Sequence, residues 1–193
     1  MKLELEQAQN WLNEFFESII ENKDLLNELD TAIGDGDHGT NMERGVKAAQ
    51  EALQNKPATD VAKLYMTTAM SLVNKVGGAS GPLYGTAFMD MAKAVKSENI
   101  ELADLIQIGT DGIKRRGESD VKMKTMIDVW QPVADSLSDD KLNSEVIEKA
   151  LNNTKDIVAT KGRASYLGEQ SVGHLDPGAK SSELLFKALL NQI

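Results

Sequence analysis

The sequence predicts an all-α protein, an antiparallel bundle or barrel of about eight amphipathic helices whose binding chemistry gathers at one end. Three observations predict it. Apolar residues recur at three- and four-residue steps in nearly every segment that has a clear period. No stretch sustains the two-residue alternation of β-branched side chains that a half-buried strand requires. Only four prolines and 5% aromatics are present, too few for a β-sandwich with many turns.

The helices follow in order. The first carries Leu5, Ala8, Leu12, Phe15, Phe16, Ile19 and Ile20, and the second Met42, Val46, Ala49 and Leu53. A third starts behind an Asp60 cap and runs through Val61, Leu64, Thr68 and Leu72 to about Val76. The fourth opens at Ser80 or Gly81, with Pro82 in its first turn, where a missing N–H costs nothing, and continues through Phe88, Met91 and Val95. The fifth covers about Leu102 to Arg115 and the sixth about Thr125 to Leu137. The seventh begins near Asn143 and carries Val146, Ile147, Ala150, Leu151, Ile157 and Val158. The eighth follows Asp176-Pro177-Gly178 and carries Leu184, Leu185, Ala188 and Leu189.

Composition sets the outer bounds. A chain of 193 residues fits one domain, 1–193, with a substantial core. The absence of cysteine removes disulfides, thiolate metal sites and cysteine nucleophiles, and fits a reducing, cytoplasmic setting. The acidic, amphipathic start Met1-Lys-Leu-Glu-Leu-Glu-Gln does not read as a signal peptide, and no run of 18 apolar residues suggests a membrane span. A net charge of −9 argues against nucleic acid, whose binding needs a positive surface to displace counterions.

The loops fall into two sets. Asn55-Lys-Pro-Ala-Thr, Ser97-Glu-Asn-Ile and Ser138-Asp-Asp-Lys-Leu are ordinary solvated turns. The alternate connections are unusual: Asp30 to Thr40, Gly77 to Gly81, Gly117 to Lys124, and Lys161 to Gly178. Short connections make neighbouring helices antiparallel, so all four unusual loops fall at the same end. Loops on a rigid scaffold are where binding chemistry concentrates.

Asp30, Asp35 and Asp37 cannot share one helical face, but a turn broken by Gly34, Gly36 and Gly39 can fold them together. Each pair of carboxylates at about 4 Å repels by about 1 kcal/mol in water and about 4 at an effective dielectric of 20, and a divalent cation reverses that sign. An all-oxygen set favours Mg²⁺, Ca²⁺ or Mn²⁺ over zinc. The plain alternative is a turn of solvent-facing aspartates. An EF-hand loop starting at Asp35 fails, because Gly39, Thr40 and Val46 stand where its fifth, sixth and twelfth positions need a ligand, a glycine and a glutamate. His38 could bind phosphate or base, ligate the cation, accept a phosphoryl group or serve structurally. Gly39-Thr40-Asn41 and Ala79-Ser80 open helices whose free N–H groups suit an anion. Arg163, in the longest irregular stretch, suits phosphate through its planar donor fork. No Walker-type phosphate loop or Rossmann fingerprint occurs. No nucleophile–base pair stands out, and no catalytic residue is assigned.

Ile33-Gly-Asp-Gly-Asp-His-Gly-Thr-Asn41, Gly77-Gly-Ala-Ser-Gly-Pro82, Lys161-Gly-Arg-Ala-Ser-Tyr-Leu-Gly168 and Gly173-His-Leu-Asp-Pro-Gly-Ala179 together resemble the nucleotide-binding L subunits of bacterial dihydroxyacetone kinases, over essentially the whole chain. The resemblance implies a barrel of eight amphipathic helices with nucleotide across one end. It implies Mg²⁺ on Asp30, Asp35 and Asp37. It implies nucleotide contacts from His38, Gly39, Thr40, Asn41, Ala79, Ser80, Gly117, Met126, Arg163, Asp176, Pro177 and Gly178. In one departure, Lys122-Met123 stands where the family carries Gly-Asp ahead of Lys-Thr-Met. The chain has no room for a substrate-binding domain, which matches the branch built from separate subunits. In that branch tightly held ADP is phosphorylated in place by a phosphohistidine on a phosphotransferase-system protein, the M subunit. The resulting ATP phosphorylates dihydroxyacetone held on the K subunit. The alternatives are a kinase domain exchanging ATP for another acceptor, or a non-catalytic nucleotide-binding relative.

Overall fold

Each apolar stripe closes into a helix because only that period puts its Leu, Ile, Phe and Val residues on one buried face. The computed structural model describes residues 1–97 and 99–193; Glu98, in the connection Ser97-Glu-Asn-Ile, lies outside the described residues. Among the described residues there are nine α-helices, not eight, and no strand. They are α1 (Leu5–Glu21), α2 (Lys23–Ile33), α3 (His38–Asn55), α4 (Val61–Lys75), α5 (Ser80–Ser97), α6 (Leu102–Gly117), α7 (Ile127–Ser138), α8 (Ser144–Asn153) and α9 (Pro177–Leu190). Two 3-10 helices, Thr154–Asp156 and Arg163–Ser171, lie between α8 and α9.

The extra helix arises at Asn22, which leaves helical geometry at φ −98°, ψ 13° and separates α1 from α2. Its side-chain amide donates to the Ser18 carbonyl at 2.8 Å while its own N–H donates to the same oxygen at 3.0 Å. That local bond competes with continuation of the helix, which resumes at once in a new direction. A second difference concerns α8, which ends at Asn153, short of the Ile157 and Val158 that its apolar period includes. The fully buried Thr154 hydroxyl donates to the Leu151 carbonyl at 2.7 Å and accepts from the Asp176 N–H at 3.2 Å, drawing the chain toward the start of α9.

Elsewhere the caps follow the sequence. The Asp60 carboxylate accepts from the Lys63 N–H at 2.8 Å to start α4, and Asn143 accepts from the Val146 N–H at 3.1 Å to start α8.

The helices pack on their neighbours in chain order, and α9 returns to α1 to close the ring. The ring's interior is solid. Trp11, Phe15 and Phe16 of α1, Tyr65 of α4, Tyr84 and Phe88 of α5, Trp130 of α7 and Phe186 of α9 are fully buried, with successive ring centroids 4.9–6.3 Å apart. Trp11 Nε1 donates to the Leu185 carbonyl at 2.8 Å, which ties the seam between α1 and α9. A filled interior leaves a ligand the ends of the ring. No helix among the described residues is long and apolar enough to cross a membrane.

Where α2 turns back into α3 the backbones touch. A Cβ on Gly39 would lie 1.9 Å from the Lys23 carbonyl oxygen, so glycine is what allows α3 to start there. Gly39→Ala should therefore destabilise the fold by about 1–3 kcal/mol, the usual cost of overpacking, read from urea denaturation midpoints at unchanged m-value.

Candidate functional site

All four unusual loops meet. Residues from Asp30 to Asn41, Gly77 to Leu83, Arg116 to Met126 and Thr160 to Gly178 line one cleft of about 740 Å³ at the end of the barrel. The first residues of α3, α5 and α9 (His38, Ser80 and Pro177) and Met126, which caps α7, all stand in its wall, bringing four positive helix ends to one place.

The aspartate loop forms one corner. Asp30 sits in the last turn of α2, and its Oδ2 accepts from the Asp37 N–H at 2.9 Å and the His38 N–H at 3.1 Å. These two bonds fold the loop back on its own helix, with Gly36 supplying the turn at φ +78°. One carboxylate oxygen each from Asp30, Asp35 and Asp37 then lies within 4.8 Å of the others. Asp30 is buried, with 8% of its surface exposed, while Asp35 and Asp37 face solvent. Burial pushes the Asp30 carboxyl above its ordinary value; the two N–H donors oppose this and the charges of Asp35 and Asp37 add to it. Three hard oxygen donors in that space fit a divalent cation of the magnesium type. Arg163 reaches across from the α8–α9 connection, Nη2 to Asp35 Oδ2 at 2.9 Å.

Beside this corner His38 is almost enclosed. Its Nε2 lies 3.0 Å from the Ser181 hydroxyl of α9 and its Nδ1 3.3 Å from the Ser80 hydroxyl at the start of α5. Burial lowers its pKa to about 4, which keeps the ring neutral at physiological pH. Asn41 Oδ1 accepts from Arg44 Nη2 at 2.6 Å, and Arg44 Nε donates to the Lys75 carbonyl at 2.7 Å, so α3 is clamped to the end of α4.

On the opposite side, Asp176 caps α9 by accepting from the Ala179 N–H at 2.7 Å. Its pKa is raised to about 7, first by burial and further by the Asp128 charge, against the pull of Lys124. Lys124 is the unexpected member. It is 1% exposed, and its ammonium donates to the Thr154 carbonyl and, at 2.6 Å, to the His174 carbonyl. A single buried cation thus binds the α6–α7 loop to both ends of the α8–α9 connection.

The Lys122-Met123 departure has a clear backbone consequence. Lys122 adopts φ +66°, the region glycine favours, and its N–H still donates to the Asp128 carboxylate, which also accepts from the Thr125 N–H at 2.8 Å. A lysine thus sits, under strain, in a backbone geometry that glycine adopts freely.

Of the residues proposed from sequence, Asp30, Asp35, Asp37, His38, Asn41, Ala79, Ser80, Gly117, Met126, Arg163, Asp176, Pro177 and Gly178 line the cleft. Gly39 and Thr40 do not. Gly39 packs on the Lys23 backbone, and Thr40 is held by Asn27, whose amide donates to its hydroxyl at 2.9 Å and whose oxygen accepts its N–H at 2.9 Å. Sequence reasoning kept Lys124 in phase with its motif but gave it no role, and it passed over Ser181 entirely. Neither stands out by residue type: a lysine in a polar loop reads as a surface charge, and a serine within α9 as helix filling.

Three measurements test this geometry. Lys124→Met strands two carbonyls and should cost about 2 kcal/mol or more in urea denaturation. Lys122→Gly removes left-handed strain and should raise stability by up to about 1 kcal/mol, although glycine's extra freedom in the unfolded chain offsets part of the gain. Because folding depresses the His38 pKa from 6.5 to about 4, its contribution to stability is complete above about pH 6.5 and lost as pH falls toward 4. Denaturation at pH 7, 6 and 5 should show an acid loss approaching about 1.4 kcal/mol per pH unit that His38→Gln lacks.

The comparisons agree with this architecture. The DAK2 domain family's sequence profile matches residues 32–191. The ADP-binding subunit of PEP-dependent dihydroxyacetone kinase 1 from Listeria innocua is 54% identical over 193 residues, covering 98% of each chain. The ADP-binding subunit of the PTS-dependent dihydroxyacetone kinase from Lactococcus lactis is 44% identical over 191 residues, covering 99% of each. The solved dihydroxyacetone kinase of C. freundii, in complex with AMP-PNP and Mg²⁺, superposes with a TM-score of 0.79 at 23% identity, over 100% of this chain and 34% of that one, which supports the fold. This chain belongs to the DAK2 family, among the ADP-binding subunits of dihydroxyacetone kinases that depend on the phosphotransferase system.

Proposed function

We propose that this chain is a single nucleotide-binding domain that holds ADP as a resident phosphoryl carrier. It would take the phosphoryl group from a phosphohistidine on a phosphotransferase-system M subunit and pass it to dihydroxyacetone held on a separate K subunit, in the cytoplasm. The observation that carries this reading is the cluster of Asp30, Asp35 and Asp37 oxygens within 4.8 Å of one another, in a cleft where four helices begin.

Phosphoryl transfer asks a protein mainly to position the phosphates and neutralise their charge. Bound at the three carboxylates, magnesium supplies the local positive charge that draws phosphate oxygens to this corner. The carboxylates hold the cation. The free N–H groups at the starts of α5 and α9 suit phosphate oxygens, and the glycine-rich Gly77–Gly81 turn lets the nucleotide approach the backbone closely. Arg163 would exchange Asp35 for a phosphate, for which its planar fork is better matched. That exchange is inexpensive, since the exposed ion pair it gives up is worth about 1 kcal/mol or less.

In the first transfer a phosphorus–nitrogen bond breaks as a phosphorus–oxygen bond forms on the terminal phosphate of ADP. In the second that new phosphorus–oxygen bond breaks, leaving ADP in place, as a bond forms to a hydroxyl oxygen of dihydroxyacetone, whose proton would leave on the side of the K subunit that holds it. No general base is therefore required of this chain.

Denaturing the purified protein and identifying the released small molecule tests the reading directly: ADP or ATP is expected, in near-equal amount to the chain. Asp35→Ala should lose at least the roughly 10–100-fold in magnesium-dependent nucleotide affinity that even outer ligand partners contribute at metal sites, with the helical circular dichroism unchanged. Retention that survives both Asp35→Ala and chelation would refute the metal assignment. Rapid exchange with free ATP and repeated turnover without a phosphohistidine donor would favour an ATP-consuming kinase domain instead.

A further inference from the structure

Beneath the cleft a chain of buried polar groups runs from His38 to the barrel core. His38 Nε2 lies 3.0 Å from Ser181 Oγ, and Tyr84 Oη lies 2.8 Å from Ser181 Oγ and 3.0 Å from Ser182 Oγ. Trp130 Nε1 donates to Ser182 Oγ at 3.0 Å, and both serine hydroxyls face the Gly178 carbonyl, at 3.0 and 2.8 Å. Ser181, Ser182, Tyr84 and Trp130 are fully buried, so water cannot complete what the side chains leave unpaired.

Counting hydrogens decides the tautomer of His38. The six contacts each need one hydrogen, and the indole and three hydroxyls supply four. If Nε2 of His38 carries a proton, five contacts are satisfied and only one tyrosine–serine contact goes without. If Nε2 is bare, two contacts go without. The Nε2–H form therefore makes one more buried hydrogen bond than the alternative, and the network favours it by that bond. Nδ1 is then an acceptor, and the hydroxyl facing it at 3.3 Å, Ser80, must turn its hydrogen toward the ring.

We propose that Ser181 is a positioning residue: backed by Tyr84, Ser182 and the Gly178 carbonyl, it holds His38 in the Nε2–H form and thereby makes Ser80 present its lone pairs to the cleft. A Ser80 oxygen set in this way suits a cation or an N–H or O–H donor of the ligand, and leaves phosphate oxygens to the backbone N–H groups. Ser181 acts at a distance, through an imidazole that it holds in one orientation.

The chain has two histidines, His38 and His174, so ¹⁵N-histidine spectra of the full-length protein are simple to assign. At neutral pH the wild-type His38 should show a protonated Nε2 and a bare Nδ1. Ser181→Ala should move His38 toward the Nδ1–H form and speed ADP release roughly fivefold, the effect of one neutral hydrogen bond. Ser181→Thr should restore both. Ser182→Ala should lower the melting temperature, because Trp130 loses its acceptor, yet leave the His38 tautomer as it was. A wild-type Nδ1–H signal overturns the inference, as does a Ser181→Ala protein altered in melting temperature alone. Should Ser181→Ala fail to fold, the wild-type spectrum still decides. The release-rate measurement rests on the nucleotide reading above, whereas the tautomer measurement does not. A protein retaining no nucleotide would refute that reading and leave the spectrum to judge Ser181.

Discussion

Three carboxylates within 4.8 Å of one another repel, and the architecture at this end of the barrel holds them together against that repulsion. The restraint begins with Asp30. Rooted in the last turn of α2, it spends one oxygen on the N–H groups of Asp37 and His38 and so pins the loop that carries the other two aspartates. α2 can be so close to α3 only because Gly39 lets the backbones touch and Asn27 binds Thr40 from both sides. Even the break at Asn22 serves this placement, by freeing α2 from the direction of α1. A cluster assembled in this way is unfavourable alone and favourable with a cation; burial raises the Asp30 carboxyl first, and the neighbouring charges of Asp35 and Asp37 add to it.

The remainder of the cleft is held by buried polar groups that reach between distant segments. Lys124 joins the α6–α7 loop to Thr154 and His174. Ser181 and its neighbours join α9 to α5, α7 and the aspartate loop. Hydrogen bonds of this kind contribute modestly when formed and cost more when broken, so they fix geometry more than they add stability. The aromatic interior complements them by excluding water from beneath the site. The cleft therefore has a rigid floor under an open mouth. Eight of the nine aromatic residues lie in that floor and core, while Tyr166 stands 91% exposed at the rim.

Much of this was determined by the sequence alone, because its signals are local. A helical period is set by residues three and four apart, caps by residues three apart, and the aspartate and glycine-rich loops by their own turn chemistry. The alternation of plain and unusual loops placed one site at one end, since short connections force antiparallel neighbours. What only the tertiary structure decided depends on partners far away in the chain. α8 stops at Asn153 because Thr154 bonds to Asp176, and Ile157 and Val158 leave the helix despite their fitting period. Thr40 looks like an anion-binding position by residue type, yet Asn27 of α2 takes its N–H, and Gly39 packs its Cα against the Lys23 backbone. Lys124 is a buried tether and Ser181 a buried relay because of carbonyls and side chains 30 to 143 positions away, at separations no local pattern encodes. Lys122 lies between these levels: its residue type does not announce a positive φ, and its N–H donates to Asp128 only six positions on.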